Sequence, residues 1–214
     1  MSLRFFYGSG SQFAWRVWLA LEHKGVPYEC RVLSFSDGEH RQPEYLAINP
    51  RHKVPAIDDN GFTLYESAAI VEYLDERFTD GPSLFPGDLE QRALQRRVIA
   101  EVDSYLQPLH GRVAKSVFFT PPEKRDPSEL EEVKTLWAAE VARYETLVAE
   151  GFVGPSIGAA DFTLYPFIAT AERFDQRHPG LDLQGAIPAG VLAWRDRMRA
   201  LPYHDKTWPP HWKA

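Results

Sequence analysis

The hydrophobic pattern changes once along this chain, and that change most constrains the fold. In the first third, short runs that favour strands alternate with stretches of helical period, whereas after residue 88 every periodic stretch has the spacing of a helix. Residues 79–87 lie between the two regions and concentrate proline, glycine and serine, as linkers do. The sequence therefore predicts two domains, at residues 1–79 and 88–214, with residues 80–87 as the linker.

The first domain is predicted to contain a four-stranded mixed sheet. Its strands and helices alternate as β-α-β-α-β-β-α, at residues 3–7, 13–24, 28–33, 40–48, 54–58, 62–65 and 66–78. The Asn60-Gly61 pair favours the tight turn of an antiparallel hairpin between the last two strands. The first two strands are joined through a helix, which favours a parallel pair. The predicted fold class is α/β, followed by an all-helical domain at residues 88–214.

The helical domain begins with one long pattern over residues 89–119. A bend is expected at Pro108, because proline removes a backbone donor and its ring clashes with the preceding turn. Further helices are predicted around residues 133–148, 159–176 and 187–200. Asp161 follows Gly158 by three residues and predicts a capping box, in which Asp161 accepts from the first N–H groups of its helix.

Composition excludes several classes of protein. A hydrophobic fraction of 44% with 25% charged residues is ordinary for a globular chain, and no run approaches the ~18 apolar residues of a membrane span. The net charge is −6 and basic residues are not clustered, which argues against a nucleic-acid partner. Cys30 is the single cysteine, so a reducing compartment is expected. No signal-peptide pattern is evident, and the expected location is the cytoplasm.

Three short motifs carry the chemistry. Val54-Pro55 begins a strand, where a cis bond would present the backbone of Val54 to an extended peptide; an ordinary strand-start proline is the alternative. Glu66-Ser67 begins an apolar helix, and helix N-termini attract carboxylates as well as favouring a serine cap. Ser11 begins the first helix, where its hydroxyl could cap the backbone, face a ligand, or do both.

With their order and the two-domain architecture, these motifs resemble the cytosolic glutathione S-transferase family, and its serine-using zeta class in particular. The resemblance spans nearly the whole chain and is densest between residues 3 and 78. It implies a thioredoxin-like domain that binds glutathione as co-substrate and a helical domain that contributes the electrophile site. It also implies a homodimer without a metal. The implied activity is attack of the glutathione thiol on a small, hydrophobic electrophile.

The resemblance also implies which residues hold most of the glutathione molecule. Val54, followed by a cis Pro55, would pair its backbone with the tripeptide like an added strand. Glu66 would pair with the γ-glutamyl ammonium, and Ser67 with the γ-glutamyl carboxylate. For the last two residues the alternative is a plain helix start.

By the same resemblance, Ser11 faces the sulfur of glutathione, and Ser9 is the fallback hydroxyl. A hydroxyl and a helix N-terminus would both stabilise the thiolate and lower the pKa of the thiol. The tyrosine-using classes fit less well, because their tyrosine falls at Phe5 and Tyr7 is out of line. The cysteine-using classes fit less well again, because Cys30 lies in a strand.

The remaining candidates are single residues. His40 and Lys53 would reach the glycyl carboxylate of glutathione, and an exposed histidine with no ligand is the alternative for His40. Phe13, His110 and Arg173 are implied for the electrophile site. Arg173 would be its anion anchor, because guanidinium pairs bidentately with carboxylates; a surface arginine is the alternative.

Two other functions stay open. The first is a maleylacetoacetate-type cis–trans isomerase, in whose reaction glutathione adds to the substrate and leaves it again. The bend at residues 107–110 and Arg173 favour this function, whereas Gln12 and Phe13 replace a serine and a cysteine of the zeta class. The second is a non-catalytic scaffold for binding or regulation. The complete set of motif residues argues against a scaffold: Ser11, Pro55, Glu66 and Ser67.

Overall fold

The computed structural model describes residues 3–212, which form two compact units. The first unit contains residues 3–86 together with residues 202–212, and the second contains residues 87–201. The sequence assigned residues 202–212 to the helical domain. They group instead with the first unit, because Trp208 and Trp212 pack on Trp15 near the start of the chain.

The first unit has the predicted order of strands and helices. Its elements are β1 Leu3–Tyr7, α1 Gln12–Lys24, β2 Glu29–Val32, α2 Pro43–Leu46, β3 Ala56–Asp59, β4 Phe62–Tyr65 and α3 Ser67–Arg77. The sheet order is β2-β1-β3-β4, with β1 parallel to β2 and antiparallel to β3. Asn60 and Gly61 turn between β3 and β4 with φ of 54° and 95°, so the predicted hairpin is confirmed.

Alternate residues of β1 build the two faces of the sheet. The fully buried Phe5 points to α1, where its ring centroid lies 6.4 Å from that of Trp18. Phe6 points to the other face and packs on Tyr45 of α2, with ring centroids 5.8 Å apart. The sheet is therefore covered on both sides, as expected for an α/β unit.

An ion pair between a buried lysine and a half-buried aspartate joins α1, α3 and the predicted linker. The side chain of Lys24 is only 1% exposed, and its Nζ lies 3.0 Å from Oδ1 of Asp75. The same ammonium donates to the carbonyl of Pro82 at 3.0 Å, and Asp75 accepts from the N–H of Leu84. The start of the predicted linker is thus bound to the first unit by charge-assisted hydrogen bonds.

Every regular element between residues 87 and 201, the second unit, is helical, as predicted. Its helices are α4 Leu89–Glu101, α5 Gln107–Ala114, α6 Pro127–Ala142, α7 Glu145–Val148, α8 Ala159–Arg177 and α9 Ala189–Arg199, and α10 His204–Thr207 lies in the first unit. The long pattern over residues 89–119 contains two π-helical turns, Val102–Leu106 and Lys115–Phe119. The first π turn ends directly before α5, which contains Pro108. Proline has no N–H to donate to the carbonyl four residues earlier, and this missing bond accounts for the irregular turn.

Asp161 is buried at the start of α8, where its carboxylate forms the predicted capping box with the backbone of Gly158, the residue before the helix. Its Oδ2 accepts from the N–H of Gly158 at 3.1 Å, and its Oδ1 accepts from the N–H of Val153 at 3.1 Å. The indole Nε1 of Trp194 in α9 also donates to Oδ1, at 2.9 Å. In addition to the predicted cap, Asp161 therefore binds the loop at Val153 and the neighbouring helix α9 to the start of α8.

Over residues 3–212, no helix combines the length and the apolar character needed to cross a membrane. Within the same range, no group of three His, Cys, Asp or Glu is arranged to bind a metal ion. Cys30 lies exposed on β2 as a free thiol.

Candidate functional site

The strand register brings the three predicted motifs to one end of the sheet. β1 and β2 end side by side, with Tyr7 opposite Val32. β3 begins at the same end, where Ala56 lies opposite Tyr65 at the end of β4. The loops that follow or precede these strand ends therefore lie near one another. They contain the motif residues 8–11, 53–55 and 66–67.

The bond between Val54 and Pro55 is cis, as predicted. The carbonyl before it, on Lys53, accepts from the Tyr45 hydroxyl at 2.5 Å and from Asn49 Nδ2 at 2.7 Å. These two bonds hold the chain just before the turn. Pairing of β3 with its neighbouring strands begins at Ala56. The peptide groups of Val54 therefore lie before the paired part of the strand.

The loop after β1 lies against Val54 and ends at Ser11. A Cβ at Gly8 would lie 3.4 Å from Cγ2 of Val54. Ser11 donates its N–H to the Gly8 carbonyl at 3.1 Å, and its hydroxyl accepts from the N–H of Ala14 at 3.3 Å. The predicted cap of α1 is thereby confirmed. Because the hydroxyl accepts this bond, its own proton can be donated at the positive end of α1.

Ser9, the fallback hydroxyl, has a partner that the sequence did not predict. Its Oγ lies 2.6 Å from Nδ1 of His211, and the tautomer of the imidazole decides which group donates. The hydroxyl of Ser11, by contrast, bonds the backbone of its own helix. No local pattern links positions 9 and 211. The one available signal was the density of aromatic residues between positions 208 and 212.

Glu66 occupies a backbone conformation that non-glycine residues rarely adopt, with φ of 71° and ψ of 107°. Such strain costs about 1–3 kcal/mol and is concentrated at functional sites. Glu66 holds the cap position of α3 without a side-chain capping bond, so the expectation that Ser67 caps this helix is wrong. Ser67 is instead the first, buried residue of α3, because the turn at Glu66 has already directed the chain into the helix.

The Glu66 carboxylate is exposed, and its Oε1 lies 3.9 Å from Nε of Arg51. An exposed pair at this distance contributes little to stability, about 0–1 kcal/mol. No acidic residue lies in the first turn of α3. The helix N-terminus therefore keeps its positive character, next to a carboxylate that the fold does not require.

The two candidates for the glycyl carboxylate have different surroundings. Lys53 is exposed, and its side chain extends from the segment just before the cis bond. His40 is half-buried, with its ring 5.0 Å from the ring of Phe35 in an edge-to-face contact. Its Nδ1 is buried and has no hydrogen-bond partner among residues 3–212.

The positions weighed for the tyrosine and cysteine classes lie on the strands β1 and β2. Phe5 is fully buried, and its ring stacks on Tyr7 at 5.5 Å. Burial raises the pKa of Tyr7, and its ring also packs on Trp18 at 4.8 Å, so Tyr7 is a core residue. Cys30 lies opposite Phe5 in the middle of the strand pair.

The three candidates for the electrophile site lie in both units. Phe13, in the first unit, has the guanidinium of Arg16 5.5 Å from its ring centroid. His110, in the second unit, is 5% exposed, and its ring lies 5.0 Å from Phe167 and 4.8 Å from Phe174. Burial lowers the pKa of His110 to about 3, so it is neutral in ordinary conditions.

Arg173, the candidate anion anchor, is half-buried on α8 of the second unit. Its Nη1 donates to the side-chain oxygen of Gln176 at 3.2 Å, in an exposed contact. Gln176 is a neutral partner at the surface, and this bond uses one of the five N–H donors of the guanidinium. The position is compatible with either a surface arginine or an anion anchor.

Comparison with known proteins agrees with this geometry. Residues 10–77 match the glutathione S-transferase N-terminal domain family. The chain is 37% identical to the maleylacetoacetate isomerase of Pseudomonas aeruginosa, over 81% of this chain and 82% of that protein. A glutathione S-transferase of the Antarctic clam Laternula elliptica superposes with a TM-score of 0.83 at 30% identity, over 100% of this chain and 94% of the other. A glutathione transferase of Phanerochaete chrysosporium, crystallised with oxidised glutathione, has a TM-score of 0.78 at 25% identity, covering 99% and 96%. The chain belongs to the glutathione S-transferase family.

Proposed function

We propose that this protein activates the thiol of glutathione for attack on a small, apolar electrophile, with Ser11 as the activating residue. It is an enzyme of the glutathione S-transferase family, and glutathione is its co-substrate. The observation that carries the proposal is the geometry of Ser11. Its hydroxyl accepts the capping bond of α1 and retains a proton for a thiolate, at the positive end of the helix.

The proposed binding mode uses the three motifs at one end of the sheet. The peptide groups of Val54 would pair with the cysteinyl part of glutathione as an added strand. The first N–H groups of α3 and the hydroxyl of Ser67 would bind the γ-glutamyl carboxylate, and exposed Glu66 would bind its ammonium. Lys53 and His40 remain proposed ligands of the glycyl carboxylate.

Activation would work through differential stabilisation of the thiolate. A donated hydrogen bond and the N-terminal end of a helix both favour the charged form of the thiol, and so lower its pKa. The bound thiolate and the electrophile then react within one complex, so positioning supplies a large part of the rate.

The test replaces Ser11 by alanine and by glycine. Both variants lack the hydroxyl, but alanine also removes a helix cap at a cost of about 1 kcal/mol, whereas glycine costs only a few tenths. We expect the pKa of the bound glutathione thiol to rise towards the ~8.5 of a free cysteine in both variants. The measurement is thiolate absorbance in the ultraviolet as a function of pH.

Ser128→Ala is the matched control, because Ser128 also lies at a helix start, in α6, and is far from the motif residues in the chain. It should leave the thiol pKa unchanged. If the pKa of the bound thiol is also unchanged in Ser11→Ala and Ser11→Gly, Ser11 does not activate the thiol and the proposal is wrong.

A second candidate function is supported by the Pseudomonas aeruginosa relative, which is a maleylacetoacetate isomerase at 37% identity. In this function Arg173 would bind a substrate carboxylate. A direct isomerisation assay of the unmodified protein and of Arg173→Gln separates the two functions. Isomerisation that falls at least about tenfold with the variant would favour the isomerase, because a lost charge-assisted bond costs about 1.5–3 kcal/mol.

The proposal also covers assembly and location. We propose that the first unit binds glutathione, that the second contributes the electrophile site, and that the protein is a cytoplasmic homodimer. Family membership supports these statements. Light scattering of the purified protein tests the dimer, because a mass near 24.4 kDa would contradict it.

A further inference from the structure

Residues 202–212, here called the C-terminal segment, are fixed to α1 by hydrogen bonds at two levels. Near the C-terminal end of α1, Nδ1 of His23 lies 2.9 Å from the hydroxyl of Tyr203. Near its N-terminal end, the buried indole of Trp15 donates to the hydroxyl of Thr207 at 3.2 Å. The C-terminal segment therefore follows α1 back towards the loop that contains Ser11.

Three tryptophans hold the end of the C-terminal segment. The rings of Trp208 and Trp212 lie 5.3 and 5.6 Å from the ring of Trp15, both nearly perpendicular to it. Trp208 and Trp212 also contact each other edge to face, at 5.5 Å. Each such pair contributes about 0.5–1.5 kcal/mol beyond the area it buries. The segment is thus a packed part of the first unit.

His211 lies between Trp208 and Trp212 in the sequence, and it contacts the loop at residues 8–11. Its Nδ1 is 2.6 Å from Oγ of Ser9. A Cβ at Gly10 would lie 2.8 Å from Cε1 of His211, closer than side chains tolerate, and Gly10 has a φ of 85°. Gly10 therefore suits this position both in conformation and in size, because the imidazole packs directly on its backbone.

We propose that His211 is a positioning residue of the thiol site, which acts by holding Ser9 and thereby the loop at residues 8–11. The inference rests on the proposed function, because it assumes that Ser11 faces the glutathione sulfur. Gly8 and Gly10 give this loop high conformational freedom, and Ser11 is anchored on one side by its bond to Gly8. The bond from Ser9 to His211 anchors the loop between the two glycines.

Three variants isolate this bond. His211→Asn loses the ring but keeps a polar side-chain atom close to the position of Nδ1, so it can still bond Ser9. His211→Phe keeps an aromatic ring beside Trp212 but has no nitrogen. Ser9→Ala removes the same hydrogen bond from the other side and leaves the C-terminal segment unchanged.

We expect kcat to fall about tenfold in His211→Phe and in Ser9→Ala, because a displaced catalytic group loses rate steeply. The KM for glutathione should change less than about twofold, because the proposed binding residues Val54, Glu66 and Ser67 are untouched. His211→Asn should recover most of kcat. The double variant Ser9→Ala/His211→Phe should be no slower than either single variant, because both remove one interaction.

A measurement without glutathione separates this inference from the proposed function. Hydrogen exchange at residues 8–11 should be faster in His211→Phe than in His211→Asn, with exchange at residues 203–208 unchanged as a control. Equal exchange in the two variants would overturn the inference, and so would multiplicative losses of kcat in the double variant. Failure of glutathione to bind the unmodified protein in calorimetry would instead overturn the proposed function, and with it the link from His211 to the thiol.

Discussion

Asp161 offers a quantitative test of how the helical unit is held together. Its carboxyl is fully buried and accepts from the N–H groups of Val153 and Gly158 and from the indole of Trp194. Burial is the largest influence and raises the pKa of Asp161 from 3.8 to about 6, although the three donors act in the opposite direction. Asp161→Asn is the perturbation of choice, because it keeps the shape and cannot ionise.

The size of the effect follows from proton linkage. Between pH 3.8 and about pH 6 the folded chain retains a proton on Asp161 that the unfolded chain has lost. The contribution of Asp161 to the free energy of unfolding is therefore fully present below pH 3.8. It falls by about 1.4 kcal/mol per pH unit as the pH rises from 3.8 through 6. From about pH 4.5 to about pH 7.5 the loss is about 2 kcal/mol. The asparagine variant has no such loss.

The assay is urea unfolding of both proteins at about pH 4.5, 6 and 7.5, at one fixed protein concentration. We expect the variant to gain about 2 kcal/mol relative to the original protein across this range. Other titrating groups cancel in the comparison, because both proteins contain them. A difference that stays constant with pH would show that Asp161 is already ionised in the folded protein at pH 4.5, which refutes the reasoning.

Three further substitutions test other features. Glu66→Gly should raise the free energy of unfolding by about 1 kcal/mol, because glycine tolerates the positive φ, while glutathione affinity falls in calorimetry. Lys24→Ala should cost about 2 kcal/mol in urea unfolding, because it leaves Asp75, whose side chain is 19% exposed, without its cation; Lys134→Ala, at a half-buried site on α6, should cost far less. Between pH 6.5 and about 3 only the unfolded chain binds a proton on His110, so this residue makes the protein less stable as the pH falls. His110→Phe should remove this loss, which thermal unfolding at several pH values measures. An unchanged dependence of stability on acid would contradict the lowered pKa of His110.

Much of the first unit could be predicted because its signals are local. The short strand-favouring run at residues 3–7, the Asn60-Gly61 turn and the helical period of α1 each depend on neighbouring residues, and the structure has all three elements. The serine cap of α1 is likewise local, because Ser11 and its partner Ala14 are only three positions apart. The cis bond before Pro55 was predicted from the resemblance, because a sequence alone does not distinguish it from a trans bond.

The remaining features depend on contacts between distant parts of the chain. Ser9 and His211 are 202 positions apart, and neither has a pattern that points to the other. The conformation of Glu66 results from the end of β4 meeting the start of α3, which local preference alone would not favour. The same is true of Trp194, whose indole reaches Asp161 from another helix. Pairwise geometry of this kind appears only when the chain is folded.

Because residues 202–212 pack on residues 3–86, the first unit is discontinuous in the sequence. During synthesis, the sheet can form long before its last partner leaves the ribosome. Until then the indole of Trp15 lacks both its hydrogen bond to Thr207 and its two tryptophan neighbours. A nascent chain stalled before residue 202 should therefore present an apolar patch to chaperones, and a fragment cut after residue 86 should keep that patch permanently.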